Sequence, residues 1–133
     1  MNEVYAKIEM KGLNPYFGFL HRDAENHPTL ASDMMEEWRA VIVDTTAMSL
    51  INGHEIRKED FVFDMEEPGC YLASSGLKIF LNKLEKKFQT EVKYLTYVDY
   101  PVSFRRAIFL QMEQLVKAVE KGDVAYYEPI QIR

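Results

Sequence analysis

The stretch 30–44, "LASDMMEEWRAVIVD", constrains the fold more tightly than any other part of the chain. On a helix of about 100° per residue, Glu37, Ala40 and Asp44 fall within roughly 40° of Asp33, and Glu36 lies about 60° to the other side. Met34, Met35, Trp38, Val41 and Ile42 take the opposite side. One face is suited to burial and the other gathers acids. The spacing therefore predicts an amphipathic helix over about 31–52, stopping before Gly53. Acids in a first turn also suit the positive end of the helix dipole, so they do not by themselves distinguish a cation site from an ordinary helix start.

The flanking sequence reads as more helix. Residues 2–10 place Val4, Ile8 and Tyr5 on one face, and Gly12 ends that helix because glycine takes the left-handed cap conformation cheaply. "LNPYFGFLH" is too short and too interrupted by Pro15 and Gly18 for a helix, and "RDAENHPT" is a polar loop. In "DFVFDMEEPGCYLA", Phe61 and Phe63 alternate with acids before a turn signal, which predicts a small hairpin closing at Cys70–Leu72. Ser74 or Ser75 is expected to cap a helix over 76–89 with Leu77, Phe80, Leu81, Leu84 and Phe88 as its apolar stripe. "EVKYLTYVDYP" is β-prone or an aromatic-rich linker. A last helix over 102–121 buries Phe104, Ile108, Leu115 and Val119 and ends at Gly122, and the tail is extended. The fold class is mainly α, with at most a small β-hairpin.

A chain of 133 residues fits one domain. It shows no signal-peptide pattern and no apolar run of membrane-spanning length, and its single cysteine, Cys70, cannot form an internal disulfide. A cytoplasmic protein is the expectation. The net charge of −5 hides an asymmetry: residues 1–70 hold 14 acids and 6 bases, whereas residues 71–133 hold 7 acids and 10 bases. That split is compatible with an acidic, metal-binding half beside a basic, phosphate-facing half, and equally with uneven scatter in a short chain.

His21 follows Phe17, Phe19 and Leu20, so its ring is expected at the edge of apolar packing. A histidine there can be a hydrogen-bonded core residue. If the loop folds back, its imidazole and a carboxylate could instead converge on one cation, a donor set suited to Mn2+ or Mg2+. The zinc motifs HExxH and paired cysteines are absent. His27 and His54 sit in polar loops and read as surface residues.

Taken together, "GLNP" at 12–15, "GFLH" at 18–21, "LASDMMEEWR" at 30–39, "VD" at 43–44, "SFRRAIFLQMEQL" at 103–115 and "YYEPIQIR" at 126–133 occur in the order found in one family. The chain resembles the C-terminal helical domain of the CRISPR-associated adaptation integrase, the universal spacer-acquisition endonuclease, across nearly its whole length. The resemblance implies that His21 is the metal-binding histidine and Glu36 the acidic metal ligand, both catalytic, with Asp33 a supporting acid or an alternative ligand. Met34 replaces the usual Leu, and Glu37 takes a variable place often held by Pro. Family members are more than twice as long. They carry an N-terminal β-rich domain, and their third ligand is a glutamate upstream of the part matched here. Residues 1–133 are therefore expected to be a C-terminal helical catalytic-domain piece without that β-rich domain, holding two of three ligands, and weakly active or inactive alone.

The implied activity is metal-dependent cutting and joining of DNA phosphodiesters during spacer insertion, with Mg2+ or Mn2+ as cofactor. Arg105 and Arg106, at the start of the last helix, together with Lys83 and Lys87 on the preceding one, are the candidate DNA-backbone contacts. Lysines on an amphipathic helix are also its ordinary solvated face. The implied partners are double-stranded DNA, a small ferredoxin-fold adaptation protein and, in the full-length protein, a second copy. The alternative is a non-catalytic helical module that binds DNA or a partner. A helix-turn-helix regulator fits poorly, because no recognition helix dense in Arg, Asn or Gln follows a tight turn.

Overall fold

The computed structural model describes residues 1–22, 25–66 and 68–132. Helix α1 spans Asn2–Met10, and its chain reverses at Gly12, whose φ of +77° lies where side chains with a Cβ are disfavoured. The helix expected over 31–52 is present as three consecutive pieces. These are α2 (Thr29–Trp38), a π-helical stretch (Arg39–Asp44) and α3 (Thr45–Asn52). Periodicity of 3.6 gives no warning of the wider π turns, which displace carbonyls from regular α pairing. Two hydroxyls take them up: Thr45 Oγ1 donates to the Val41 carbonyl at 2.7 Å, and Thr46 Oγ1 to that of Ile42 at 2.5 Å.

After a 3-10 turn at Lys58–Asp60, β1 (Phe61–Asp64) pairs antiparallel with β2 (Gly69–Leu72), in the register Phe61 to Leu72 and Asp64 to Gly69. The turn signal before Gly69 falls partly on Glu67, outside the described residues. Helix α4 spans Ser74–Gln89, β3 (Glu91–Val92) pairs antiparallel with β4 (Val102–Ser103), and α5 runs Phe104–Lys121. A 3-10 turn at Val124–Tyr126 leads into the extended end. Of the segment read as β-prone or a linker, only Glu91–Val92 is strand and 93–101 is an irregular connection, and the first two residues of the expected last helix are strand β4. Ser103 caps α5 by accepting from the Arg106 amide, and Gly122 ends the helix at φ +62°.

The chain divides into two compact units. Residues 1–39 and 89–133 form the first. Its core joins Val4 and Ile8 of α1, Leu30, Ala31, Met34 and Trp38 of α2, and Phe104, Ala107, Ile108 and Met112 of α5. The rings of Trp38 and Tyr94 both meet Phe104 edge-on, at 6.2 and 5.7 Å between centroids, the arrangement that aromatic quadrupoles favour. The second unit, residues 40–88, holds the π stretch, α3, the β1–β2 hairpin and most of α4. Here Gly76 packs closely, since a Cβ would come 2.9 Å from Leu72 Cδ1 and that side chain would have to shift.

Two expectations for α4 change. Ser74 and Ser75 lie inside its first turn rather than capping it, because the helix starts two residues early with the Leu77 amide bonded to the Ala73 carbonyl. Its apolar stripe is only partly covered: Leu77 is 45% and Leu81 52% exposed. A similar correction applies to α5, where Phe104 and Ile108 are buried but Val119 is 59% exposed.

Candidate functional site

The segment 15–21 is stitched to the start of α2 by backbone and short side chains. The Leu30 amide donates to the Pro15 carbonyl at 2.9 Å. Thr29 Oγ1 donates to the Tyr16 carbonyl at 2.7 Å and accepts from the Gly18 amide at 2.9 Å. Only glycine fits at position 18, because a Cβ there would sit 2.6 Å from Asp33 Oδ2 and 2.8 Å from Thr29 Cβ.

This close approach delivers the amides of the next three residues to one carboxylate. Asp33 Oδ2 accepts from the Phe19 amide at 2.5 Å and the Leu20 amide at 3.0 Å, and Oδ1 accepts from the His21 amide at 2.9 Å. His21 Nδ1 completes the set at 2.5 Å from Oδ1. The Asp33 side chain is fully buried. Burial by itself would raise its pKa, but the Leu20 and Phe19 amides and the His21 ring and amide outweigh it, and the carboxyl is held down at about 2.

Being ionised, Asp33 can only accept, so His21 Nδ1 carries the proton of this bond. In the neutral ring, Nε2 then presents a lone pair. The His21 side chain is 41% exposed. Its neighbours Phe17, Phe19 and Leu20 are 68%, 64% and 70% exposed, so the ring is not at the edge of apolar packing as expected. A buried carboxylate, not a hydrophobic wall, fixes its orientation.

Glu36, one turn on from Asp33, has a 46% exposed side chain whose ion pair with Arg39 spans 3.4 Å, too long and too exposed to immobilise it. Among the described residues, no group of three or more His, Cys, Asp or Glu side chains is placed to hold a metal ion. His27, expected as a surface residue, is indeed exposed, yet its ring lies 6.5 Å from that of His21, and its Nε2 is 3.1 Å from Ser32 Oγ.

Glu37 carries a network that the sequence reading missed. Its carboxylate accepts from Gln111 Nε2 at 2.9 and 3.1 Å, from the Tyr127 hydroxyl at 2.6 Å and from the Ile130 amide at 2.7 Å. The Tyr97 hydroxyl donates to Gln111 Oε1 at 2.6 Å, and Gln111 is wholly buried. Burial, with the Glu37 charge next, raises the pKa of both tyrosines, so each remains a neutral donor. One signal was available: Gln111 interrupts the apolar stripe of α5 at a core position, and a polar side chain there needs buried partners. With the tail so held, a cleft of about 730 Å3 opens among Leu20, Met34, Glu36, Leu115, Val119 and Tyr127. Leu115 and Val119 are its wall rather than core.

The basic candidates are placed differently from one another. Arg105 Nη2 and Nε reach Glu3 Oε1 at 3.0 and 3.2 Å, tying α5 to α1. Burial opposes ionisation of Glu3, but Arg105 and Lys7 together hold its pKa below the usual range. Arg106 is exposed, with its guanidinium 4.9 Å from the Phe109 ring centroid. In the second unit Lys83 pairs with Glu55 at 2.9 Å, and Lys87 is half-buried on α4. Among the described residues, no helix is long and apolar enough to cross a membrane.

The fold and this loop-to-helix arrangement define a small, mainly helical domain built around a carboxylate-oriented histidine. Residues 1–86 match the family model described as CRISPR associated protein Cas1, and the chain belongs to that family. It is 37% identical over 116 residues to a CRISPR-associated exonuclease Cas4/endonuclease Cas1 fusion of Geobacter sulfurreducens, covering 87% of this chain and 20% of that protein. A CRISPR-associated endonuclease Cas1 of Thermus thermophilus is 30% identical over 131 residues, covering 98% of this chain and 38% of the relative. The chain thus spans well under half the length of the curated relatives it matches. In backbone it is similar to a casposase bound to integration product, with a TM-score of 0.82 at 24% identity, covering 98% of this chain and 38% of that one.

Proposed function

We propose that this chain supplies the histidine-and-carboxylate part of a metal-dependent DNA endonuclease and integrase that inserts spacers into a CRISPR array. The observation that carries the proposal is the Asp33 carboxylate, saturated by three amides and His21 Nδ1, which leaves Nε2 as the other nitrogen of a partly exposed ring. A carboxylate behind an imidazole fixes the tautomer and the ring plane of a metal ligand. The saturated acid is a poor ligand itself, so Asp33 is assigned to orientation and Glu36 to ligation. An imidazole nitrogen beside a mobile carboxylate fits Mg2+ or Mn2+. A divalent cation there supplies polarisation of a phosphoryl oxygen and stabilisation of the charge developing on it. His21 and Glu36 would hold that ion, and the 15–21 segment keeps His21 from rotating away.

The relatives named above are endonucleases, and one similar fold was captured on an integration product, which supports DNA as the substrate. Arg106 is the leading phosphate contact, because its guanidinium is exposed. Lys87 is a weaker candidate. Arg105 and Lys83 are engaged in ion pairs and would have to exchange them. Double-stranded DNA, a ferredoxin-fold adaptation partner and a second copy of the full-length protein complete the assembly proposed. Two ligands hold a hard cation loosely, so this chain alone is a feeble catalyst or none. The gathering of fewer than three ligating groups among the described residues favours a second reading, a module that binds DNA or a partner without chemistry.

Titration with Mn2+, followed by paramagnetic broadening of the histidine rings, separates the two. Broadening of His21 ahead of His54, lost in Glu36→Ala, supports the catalytic reading. Equal broadening of His21 and His54 would leave the binding module.

A further inference from the structure

We propose that His27 is a second imidazole ligand at this site, and that together with His21 it makes a two-nitrogen clamp for late first-row divalent ions such as Ni2+, Co2+ or Zn2+. The inference rests on His21 being a ligand, as proposed above.

Two observations converge on it. The His27 and His21 rings stand edge to face with centroids 6.5 Å apart. Each ring has one nitrogen taken by a side chain from adjacent residues of α2: Asp33 at His21 Nδ1 and Ser32 at His27 Nε2. Metal-binding imidazoles characteristically have the nitrogen away from the ion held in this way, which fixes the ring and raises its basicity. The nitrogens left over are His21 Nε2 and His27 Nδ1.

An ion about 2.1 Å from each nitrogen, at angles between right and tetrahedral, sets two ring centres about 4.6–5.3 Å apart. With His21 held by Asp33, the exposed His27 ring must therefore swing in by about 1.2–1.9 Å, a side-chain rotation open to it. Two imidazoles shift preference from Mg2+, which favours oxygen, toward ions that favour nitrogen. The second imidazole thus tunes which metal the site accepts.

Calorimetric titration of the whole chain with Ni2+ tests this. His27→Ala is expected to weaken Ni2+ binding by about tenfold or more, comparably to His21→Ala, with the double variant little weaker than either single one. Ser32→Ala is expected to weaken binding by a smaller factor, and His54→Ala to leave it unchanged. An affinity within twofold of the parent in His27→Ala, while His21→Ala loses binding, overturns the clamp and leaves His21 as a ligand. No effect of His21→Ala overturns both the clamp and the reading beneath it. A loss in His54→Ala equal to that in His27→Ala overturns the clamp as non-specific adsorption.

Discussion

Replacing Asp33 by Asn removes the charge while keeping the shape, and the cost can be worked from the site. The carboxylate accepts four hydrogen bonds, and asparagine can accept with only one oxygen. Its NH2 group is forced against N–H donors that then lose their partner. Charge-assisted bonds are worth roughly 1.5–3 kcal/mol each, but they do not simply add here, because segment 17–21 is exposed and its amides return to water if it detaches. An independent scale comes from titration. A carboxyl held at about 2 instead of the ordinary 3.8 stabilises the folded state by about 2.5 kcal/mol at neutral pH. We expect Asp33→Asn to lose about 2–4 kcal/mol.

The sign follows from the depressed folded pKa. The contribution is fully present above the unfolded value and is lost as pH falls from about 4 toward 2. Urea unfolding followed by the fluorescence of Trp38, the single tryptophan and a buried one, reports it. The gap between parent and variant should be largest at pH 7 and shrink steadily as pH falls below about 4. A gap below about 1 kcal/mol at pH 7, or one that does not change with pH, would refute the account of Asp33 as an ionised anchor.

Tyr127→Phe removes one donor from Glu37 and should cost about 1–2 kcal/mol, with faster amide exchange at Ile130 as the tail loosens. Exchange unchanged at Ile130 would show that the tail does not depend on that hydroxyl. Gly18→Ala places a Cβ 2.6 Å from Asp33 Oδ2, so a loss of about 1–3 kcal/mol is expected in the same urea experiment, together with a shifted His21 ring signal. For DNA, Arg106→Ala should lower affinity across sequences and reduce the salt dependence of binding by about one ion. Arg105→Ala should act chiefly on stability through the lost Glu3 pair, by about 1 kcal/mol or less because that pair is partly exposed. The reverse ranking in filter-binding and melting assays would reassign the two arginines.

Local periodicity determined the elements. The spacing of Val4 and Ile8, of Met34 and Trp38, and of Phe104 and Ile108 marked the buried faces, because a helix repeats every 3.6 residues whatever surrounds it. Gly12 and Gly122 marked helix ends because each takes a positive φ that a residue with a Cβ resists, whereas Gly53 follows α3 at φ −80°. The ordered run of motifs singled out His21, Asp33 and Glu36 as one constellation, and left Asp33 between a supporting acid and an alternative ligand. Tertiary structure set the two acids apart by burying Asp33 under three amides and leaving Glu36 exposed, an outcome set by how closely Gly18 lets the loop approach α2. It likewise brought Glu37, Gln111 and Tyr127 together from three distant segments, set His27 beside His21, and spent Arg105 on Glu3. None of these pairings has a period to read, because each depends on where separate segments meet in space, and a single chain's spacing carries no record of that.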